Sequence, residues 1–174
     1  MPPPFAIRRA VPLDAAGYIR LIKDVLSEHP PVDTPYRPSD FDPPVERIRD
    51  RILDVSTADN SVFVIAQADH QLIGSLTCAG GSLAADAHMT SLGIYVEKRW
   101  RDNGVGTALM KYAMEWAEKS AVVRRVELEV FAGNARAIHV YKKFDFKPEG
   151  VKRGLYHRDG DFLDMLLMAR WLEK

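Results

Sequence analysis

A basic, glycine-bearing segment between a strand pattern and a helix pattern carries the clearest chemical signal in this sequence. Residues 92–96 have the apolar composition of a strand, and residues 104–119 have the spacing of an amphipathic helix. The intervening loop holds three basic residues and two glycines, namely Lys98, Arg99, Arg101, Gly104 and Gly106. Free N–H groups at a helix start attract anions, and glycine lets backbone approach a phosphate. The segment predicts either a phosphate-binding loop or a tight turn that packs a helix closely on a sheet.

Two other phosphate-binding loops are excluded by their spacing. The dinucleotide motif G-x-G-x-x-G and the nucleoside-triphosphate motif G-x-x-x-x-G-K-[ST] are both absent from this segment. The dinucleotide and nucleoside-triphosphate interpretations therefore lose support.

A second motif lies in the later half of the chain and, with the loop, indicates a family. The loop reads Arg101-Asp102-Asn103-Gly104-Val105-Gly106, and the second motif runs from Asn134 through Ala137-Ile138 and Tyr141 to Phe144-Asp145-Phe146. The loop matches the pattern Q/R-x-x-G-x-G/A at every fixed position. Together the two motifs resemble the GNAT superfamily of acetyl-CoA-dependent N-acetyltransferases, although Asp145 stands where that family often has Gly. The order of elements fits from about Phe5 to Leu172, so the resemblance covers nearly the whole chain.

The resemblance implies a place for acetyl-CoA, the co-substrate, in a V-shaped opening between strands at residues 92–96 and 125–131. In the first of these strands, the pantetheine arm would pair with backbone groups of Ile94, Tyr95 and Val96. The pyrophosphate would be held by the backbone amides of Arg101, Asp102, Asn103, Gly104, Val105, Gly106 and Thr107. Asn134 would contact the pantetheine side, although asparagine also favours the N-cap of a helix, and both roles are compatible.

The resemblance also assigns the general acid to Tyr141. When an amine attacks a thioester, the tetrahedral intermediate expels a thiolate, and a nearby hydroxyl can protonate that sulfur. The alternative is a half-buried aromatic side chain that packs beside Ile138 and Phe144.

The general base is less well marked by the sequence. Many family members carry a Glu on the strand before the loop, but residues 88–96 contain no carboxylate. His88 is the predicted base, because imidazole titrates near neutral pH, and a structural histidine is the alternative. Glu127 and Glu129 are further candidates, although their alternation with apolar residues more simply indicates the polar face of a strand. A base is unnecessary if the amine arrives neutral.

Hydrophobic periodicity predicts the elements that position these residues, in the order β-α-α-β-β-β-α-β-α-β-β. The expected fold is α/β, with a GNAT-like mixed, mostly antiparallel sheet, a splayed parallel strand pair and flanking helices. Strands are predicted at residues 5–11, 61–66, 71–77, 89–96, 125–131, from 145 onward and 161–168. Helices are predicted at residues 14–28, 45–55, 104–119 and 134–144. Proline density makes 29–44 a loop, and a second loop is predicted at 152–160.

Composition bounds the class of protein. The 174 residues carry 24 basic and 24 acidic side chains, which argues against a protein that coats nucleic acid. The length suits a single domain over 1–174. The single cysteine, Cys78, excludes an internal disulfide and is expected to be buried, and the scattered histidines predict no metal site. Without a signal peptide or an apolar run of membrane length, we expect a cytoplasmic protein with no membrane partner. The resemblance adds a homodimer to these expectations.

Two features of the sequence bear on the acceptor substrate, and they indicate different kinds of molecule. Residues 24–60 hold nine acidic residues against four arginines, which suits a cationic amine or, more simply, a solvated face. Arg153 and Arg158 point instead to an acceptor carboxylate. The predicted reaction moves an acetyl group to a primary amine of a small molecule, such as an amino acid or a polyamine, by direct attack on the thioester. A protein or peptide acceptor and a non-catalytic acyl-CoA sensor are the alternatives.

Overall fold

Seven strands form one sheet, in the order β1-β2-β3-β4-β5-β7-β6, in the computed structural model, which describes residues 4–173. The strands are β1 Ala6–Arg9, β2 Val62–Ala68, β3 Gln71–Gly80, β4 Met89–Val96, β5 Arg125–Phe131, β6 Lys147–Arg158 and β7 Asp161–Trp171. The helices are α1 Ala15–Leu26, α2 Val45–Thr57, α3 Val105–Lys119 and α4 Ala135–Lys143. The predicted element order and the mixed, mostly antiparallel sheet are confirmed. Residues 1–3 and 174 of the predicted domain lie outside the described residues.

The sheet is buried on both faces, and each face has its own apolar cluster. Alternate residues of β2 divide between them: Val62 and Val64 pack on the α3 side, whereas Phe63 and Ile65 pack on the α1–α2 side. Because successive side chains of a strand point to opposite faces, one run of β-branched residues serves both clusters. This explains why the sequence of β2 is apolar throughout rather than alternating.

Helix α3 lies very close to the sheet at Gly74 of β3. A Cβ atom at Gly74 would stand 3.1 Å from Leu109 Cδ1 and 3.2 Å from Val105 Cγ1, closer than ordinary van der Waals contact. Both helix side chains are fully buried. Close packing therefore fixes α3, and with it the position of the glycine-bearing turn at its N-terminus.

The parallel pair β4–β5 is short. Its ladder covers three residue pairs, from Met89 opposite Arg125 to Ser91 opposite Glu127. Beyond Ser91, β4 continues to pair with β3 as far as Val96, and β5 continues to pair with β7 as far as Phe131. Each strand is therefore held on its outer side while the inner edges separate, which confirms the predicted splay.

One predicted loop is wrong. Residues 152–160 do not form a loop, because β6 runs from Lys147 to Arg158 and only Asp159 and Gly160 turn the chain into β7. Both turn residues have positive φ, +53° and +94°. The alternation that marks a strand is lost here, since β6 is an exposed edge strand with register shifts at Pro148–Gly150 and Lys152–Tyr156. The proline-rich segment 29–44 is a loop as predicted, apart from a short 3-10 turn at Pro38–Asp40.

None of the helices within residues 4–173 is long and apolar enough to cross a membrane.

The packing of α3 gives a stability prediction. Replacing the fully buried Leu109 with Ala leaves a cavity between helix and sheet, and we expect it to lower the free energy of unfolding by about 2–5 kcal/mol. The matched control is Leu13→Ala, because that side chain is 86% exposed, and its effect should stay within about 0.5 kcal/mol. Urea unfolding followed by circular dichroism measures both, and equal losses would contradict the proposed docking.

Candidate active site

The N-terminus of α3 has the geometry of an anion-binding turn. Gly104 precedes the helix with φ of +81°, a conformation that only glycine adopts without strain, and Asp102 also has positive φ. A Cβ at Gly104 would have no atom within 4 Å, so the space in front of the turn is open. The amides of Val105, Gly106 and Thr107 have no helical acceptor one turn earlier, since the first helical bond runs from Ala108 N to Gly104 O. These amides and the helix dipole suit a phosphate.

Arg101 stabilises this turn through bonds to other parts of the chain. Its Nε donates to Val96 O at 3.0 Å, and its guanidinium pairs with the nearly buried Glu28 carboxylate at 2.7 Å. Its backbone amide also donates, to Lys98 O. Arg101 is therefore engaged within the chain, and the amides from Asp102 onward are the ones available to a ligand.

Several other polar side chains of the loop and of α4 also make internal bonds. Asn103 donates from its side chain to the carbonyls of Arg99 and Arg101, and Asp102 pairs with Arg136 of α4 at 2.8 Å. Asn134 Oδ1 accepts from Ala137 N at 3.0 Å, so this residue caps α4 as asparagine commonly does. These bonds hold the loop and α4 together at the open end of the strand pair.

Tyr141 of α4 is 8% exposed and packs in the same apolar cluster as Leu92 of β4 and Val130 of β5. Burial raises the pKa of Tyr141 to about 12, so the phenol keeps its proton at neutral pH. Among residues 4–173, Thr90 Oγ1 is the only fully buried side-chain oxygen or nitrogen without a hydrogen-bond partner. The Tyr141 hydroxyl, which has none either, must therefore reach accessible space. A buried, protonated phenol with a free O–H is suited to donate a proton.

A cavity of about 760 Å³ lies on the opposite side of the sheet, between the splayed strands, α1, α2 and the proline-rich segment. Strand residues that line it include Ser91, Gly93 and Tyr95 of β4 and Glu129 of β5, and Leu92 also reaches the lining. Leu92 and Val130 belong as well to the apolar cluster on the α3–α4 side. The gap between β4 and β5 is thus the boundary between this cavity and the side that holds Tyr141 and the α3 turn.

His88 lies away from this site. It precedes β4, next to Met89 at the paired end of the strands, whereas the splay begins after Ser91. Its ring stacks on Trp171 with centroids 6.2 Å apart, and its carbonyl accepts from the amides of Arg124 and Arg125. Of the two glutamates, Glu127 pairs with Arg125 at 2.9 Å, whereas Glu129 lines the cavity and pairs with Lys152 of β6.

Cys78 is fully buried, as predicted, and burial raises the pKa of its thiol to about 12. A thiol that stays protonated is a poor nucleophile. No group of three or more histidine, cysteine, aspartate or glutamate side chains within the described part of the chain is placed to hold a metal ion.

Comparison with known proteins decides which family has this architecture. The sequence model described as the acetyltransferase (GNAT) family matches residues 22–146, more than half of the chain. The chain belongs to the GNAT acetyltransferase family. The predicted family is thereby confirmed, and with it an acyltransferase at the level of the family.

Curated relatives of this GNAT chain act on different acceptors, to judge by their names. The L-amino acid N-acetyltransferase AaaT of Escherichia coli is 37% identical over 107 residues, which are 62% of this chain and 66% of AaaT. An N-alpha-acetyltransferase of Sulfurisphaera tokodaii is 31% identical over 119 residues, covering 63% of this chain and 68% of that protein. The chain thus spans about two thirds of the length of these relatives.

Solved structures share the GNAT fold over almost the whole chain. The acetyltransferase of GNAT family from Streptococcus pneumoniae has a TM-score of 0.91 at 26% identity and covers 98% of this chain and 100% of that one. A phosphinothricin acetyltransferase from Sinorhizobium meliloti, solved in complex with AcCoA, has a TM-score of 0.83 at 18% identity and covers 97% and 88%. At that lower identity the similarity shows the fold alone.

The sequence analysis missed two arginines that line the cavity, Arg47 and Arg51 of α2. They were counted within an acidic segment, and only their spacing of one helical turn could have singled them out. Arg158, in contrast, was expected near an acceptor carboxylate. Its guanidinium donates to the carbonyls of Val32 and Thr34 and lies 5.4 Å from the Phe131 ring, so it secures the proline-rich segment instead.

The turn at Gly104 gives a binding prediction. In Gly104→Ala, positive φ costs a non-glycine residue about 1–2 kcal/mol, which disfavours the backbone conformation that aligns the α3 amides. We expect the Kd for acetyl-CoA, measured by isothermal titration calorimetry, to rise about tenfold or more, since 1.4 kcal/mol corresponds to tenfold in affinity. Gly150→Ala is the control, because Gly150 also has open space but lies on β6. An unchanged Kd for Gly104→Ala would rule out this turn as the phosphate site.

Proposed function

We propose that this chain transfers an acetyl group from acetyl-CoA to a primary amine of a small molecule, such as an amino acid or a polyamine, by direct attack on the thioester. One observation carries the proposal: the gap between β4 and β5 separates an anion-binding turn and a protonated phenol from a cavity of about 760 Å³. Cavities of 300–1,000 Å³ are typical for small ligands. Each side of the gap thus suits one of the two substrates.

The acetyl-CoA side uses backbone more than side chains. The pyrophosphate is proposed to lie on the amides of residues 102–107, in front of Gly104. The pantetheine arm is proposed to follow the inner edge of β4 at Ile94, Tyr95 and Val96, which has no strand partner beyond Ser91 among the described residues. The Val96 carbonyl already accepts from Arg101, but other backbone groups along this edge need a hydrogen-bonding partner, and an amide-containing arm supplies one. Asn134 contributes by capping α4 beside this path.

The acid step is assigned to Tyr141. The amine nitrogen attacks the thioester carbonyl carbon, the tetrahedral intermediate forms, and the C–S bond breaks. The departing CoA sulfur takes the Tyr141 proton, and solvent returns a proton to the phenolate. A pKa of about 12 keeps the phenol protonated before this step.

Glu129 is the better-placed base. Its carboxylate lines the cavity at the splay, whereas His88 lies at the paired end of the strands. Glu129 is proposed to take the proton that the amine loses as the new C–N bond forms, directly or through water. The ion pair with Lys152 orients this carboxylate from β6.

The acceptor class is tested by release of free thiol from acetyl-CoA. The panel holds amino acids, polyamines and a peptide with a free N-terminus, since one relative is named an N-alpha-acetyltransferase. We expect thiol release with small amines and much less with the peptide, because the cavity is walled by α2 and the proline-rich segment. Thiol release with the peptide alone would replace the small-molecule proposal with a protein acceptor.

Tyr141→Phe tests the acid step. Loss of general acid catalysis typically costs 10²–10⁴-fold, so we expect kcat to fall by about 100-fold or more while the Kd for acetyl-CoA stays within about twofold. Tyr112→Phe is the control, because Tyr112 is a half-buried tyrosine on α3, away from the splay. A protein that binds acetyl-CoA tightly but releases no thiol with any amine, with or without the substitution, would be an acyl-CoA sensor.

Glu129→Gln tests the base. We expect kcat/KM for the amine to fall by about 10–100-fold at neutral pH and to recover as pH rises, because the amine then loses its proton without help. Glu127→Gln is the control on the same strand, since Glu127 does not line the cavity. A wild-type pH profile for Glu129→Gln would show that no base acts from this position.

A further inference from the structure

Acidic and basic side chains both line the acceptor cavity, and the two kinds differ in whether they have hydrogen-bond or ion-pair partners. Three carboxylates line it, from Asp40 and Asp42 of the proline-rich segment and from Glu129 of β5. Two guanidinium groups line it as well, from Arg47 and Arg51 of α2. Which of these charges remain unpaired decides what the cavity attracts.

All three carboxylates are already engaged. Asp40 accepts from the backbone N–H of Arg37 at 2.7 Å, and Asp42 pairs with Lys23 of α1 at 2.5 Å. Glu129 pairs with Lys152. Of the three carboxylates that line the cavity, two are therefore in ion pairs and the third accepts a backbone hydrogen bond, which reduces the negative charge that the cavity offers to a polycation.

The two arginines that line the cavity differ from the carboxylates in this respect. Neither guanidinium has a hydrogen-bond or ion-pair partner among residues 4–173, whereas Arg49 between them lies 3.9 Å from Glu46. Arg47 and Arg51 are four residues apart, so they share one face of α2. Like charges one turn apart repel each other and destabilise a helix by a few tenths of a kcal/mol, a cost that an anion between them would remove.

Two tyrosines, Tyr18 and Tyr95, line the same cavity as Arg51. Burial raises the pKa of both phenols, and in both cases the positive charge of Arg51 opposes the rise. The Tyr95 hydroxyl lies 3.4 Å from Thr34 Oγ1, and the Tyr18 hydroxyl has no partner within the described chain. A free phenol O–H and an unpaired guanidinium in the same cavity form a set of donors without an acceptor.

We propose that Arg47 and Arg51 bind a carboxylate of the acceptor, so that the substrate is an amine that also carries a carboxylate, as an amino acid does. A guanidinium presents two parallel N–H donors that match the two oxygens of a carboxylate. The Tyr18 hydroxyl is a further donor in the same cavity. The amine is then directed toward the splay, where Glu129 and Gly93 form the floor. This inference rests on the proposed acetyl transfer and narrows its acceptor class.

The test compares amino acids with their own carboxamides. L-Leucine, L-phenylalanine, L-methionine and L-glutamate are each paired with the corresponding α-carboxamide, and spermidine represents amines without a carboxylate. The carboxamide keeps the amine and the side chain but removes the negative charge. Its amine is also less basic and therefore more reactive at neutral pH, so a preference for the acid runs against that bias. We expect kcat/KM to be about tenfold or more higher for the best acid than for its carboxamide.

Arg47→Met and Arg51→Met then locate the preference. We expect each to raise KM for the acid by about 10–100-fold and to leave the carboxamide unchanged, so that the discrimination disappears. Arg49→Met is the matched control on the same helix and should alter neither substrate. The KM for acetyl-CoA should stay the same in all three variants. Met is a good helix former, and thermal melts check that α2 remains folded.

Each negative result of these experiments would reject a different claim. If the carboxamides or spermidine react as well as the acids, or if Arg51→Met weakens acid and carboxamide alike, the carboxylate site is wrong while acetyl transfer stands. An increase in KM for acetyl-CoA would assign the arginines to the co-substrate instead. If no small amine releases thiol although acetyl-CoA binds, the proposed function fails and this inference fails with it.

Discussion

The separation of β4 from β5 is the constraint on which the rest of the site depends. The two strands pair from Met89 to Ser91, and then each follows its outer neighbour, β3 on one side and β7 on the other. The outer ladders continue for five residues of β4 and four of β5, to Val96 and Phe131. Separating the inner edges leaves backbone groups without strand partners in the middle of a sheet, which is costly unless something else bonds to them. A ligand with amide groups along its length meets that need.

Strand alternation then divides the chemistry between the two faces of the sheet. Ser91 and Gly93 line the cavity beside α1 and α2, whereas Leu92 also belongs to the apolar cluster on the side of α3 and α4. The same alternation on β5 sends Glu129 to the cavity and Val130 toward Tyr141. The base that we propose for the amine and the acid that we propose for the leaving sulfur therefore lie on opposite faces of the sheet, with the gap between them.

Most of the charge in the chain serves the fold rather than a ligand. Arg101 pairs with Glu28, and Arg158 binds carbonyls of the proline-rich segment. Arg125, 9% exposed, pairs with Glu127 and Glu149 and lies 5.5 Å from the Trp171 ring. The presence of such partly buried ion pairs says little about the stability of the fold. Removing one partner, however, leaves the other as an uncompensated buried charge. The phosphate site that we propose consists of backbone amides, so a net charge of zero is compatible with it.

The sequence by itself determined the order of the elements, the limits of β4 and β5 and the glycine turn at α3, because those features depend on local periodicity and on φ at single residues. It also determined the family, since the loop and the Tyr141 segment are short contiguous motifs. Only the tertiary structure decided that β6 continues through residues 152–158, because an exposed, bulged edge strand loses its alternation. The structure alone placed His88 away from the splay and Glu129 at the cavity, bonded Arg158 to the proline-rich segment, and showed no partner for Arg47 and Arg51 among residues 4–173. Sequence spacing cannot resolve these questions, because the pairing of a charge depends on residues that are distant along the chain and adjacent only after folding.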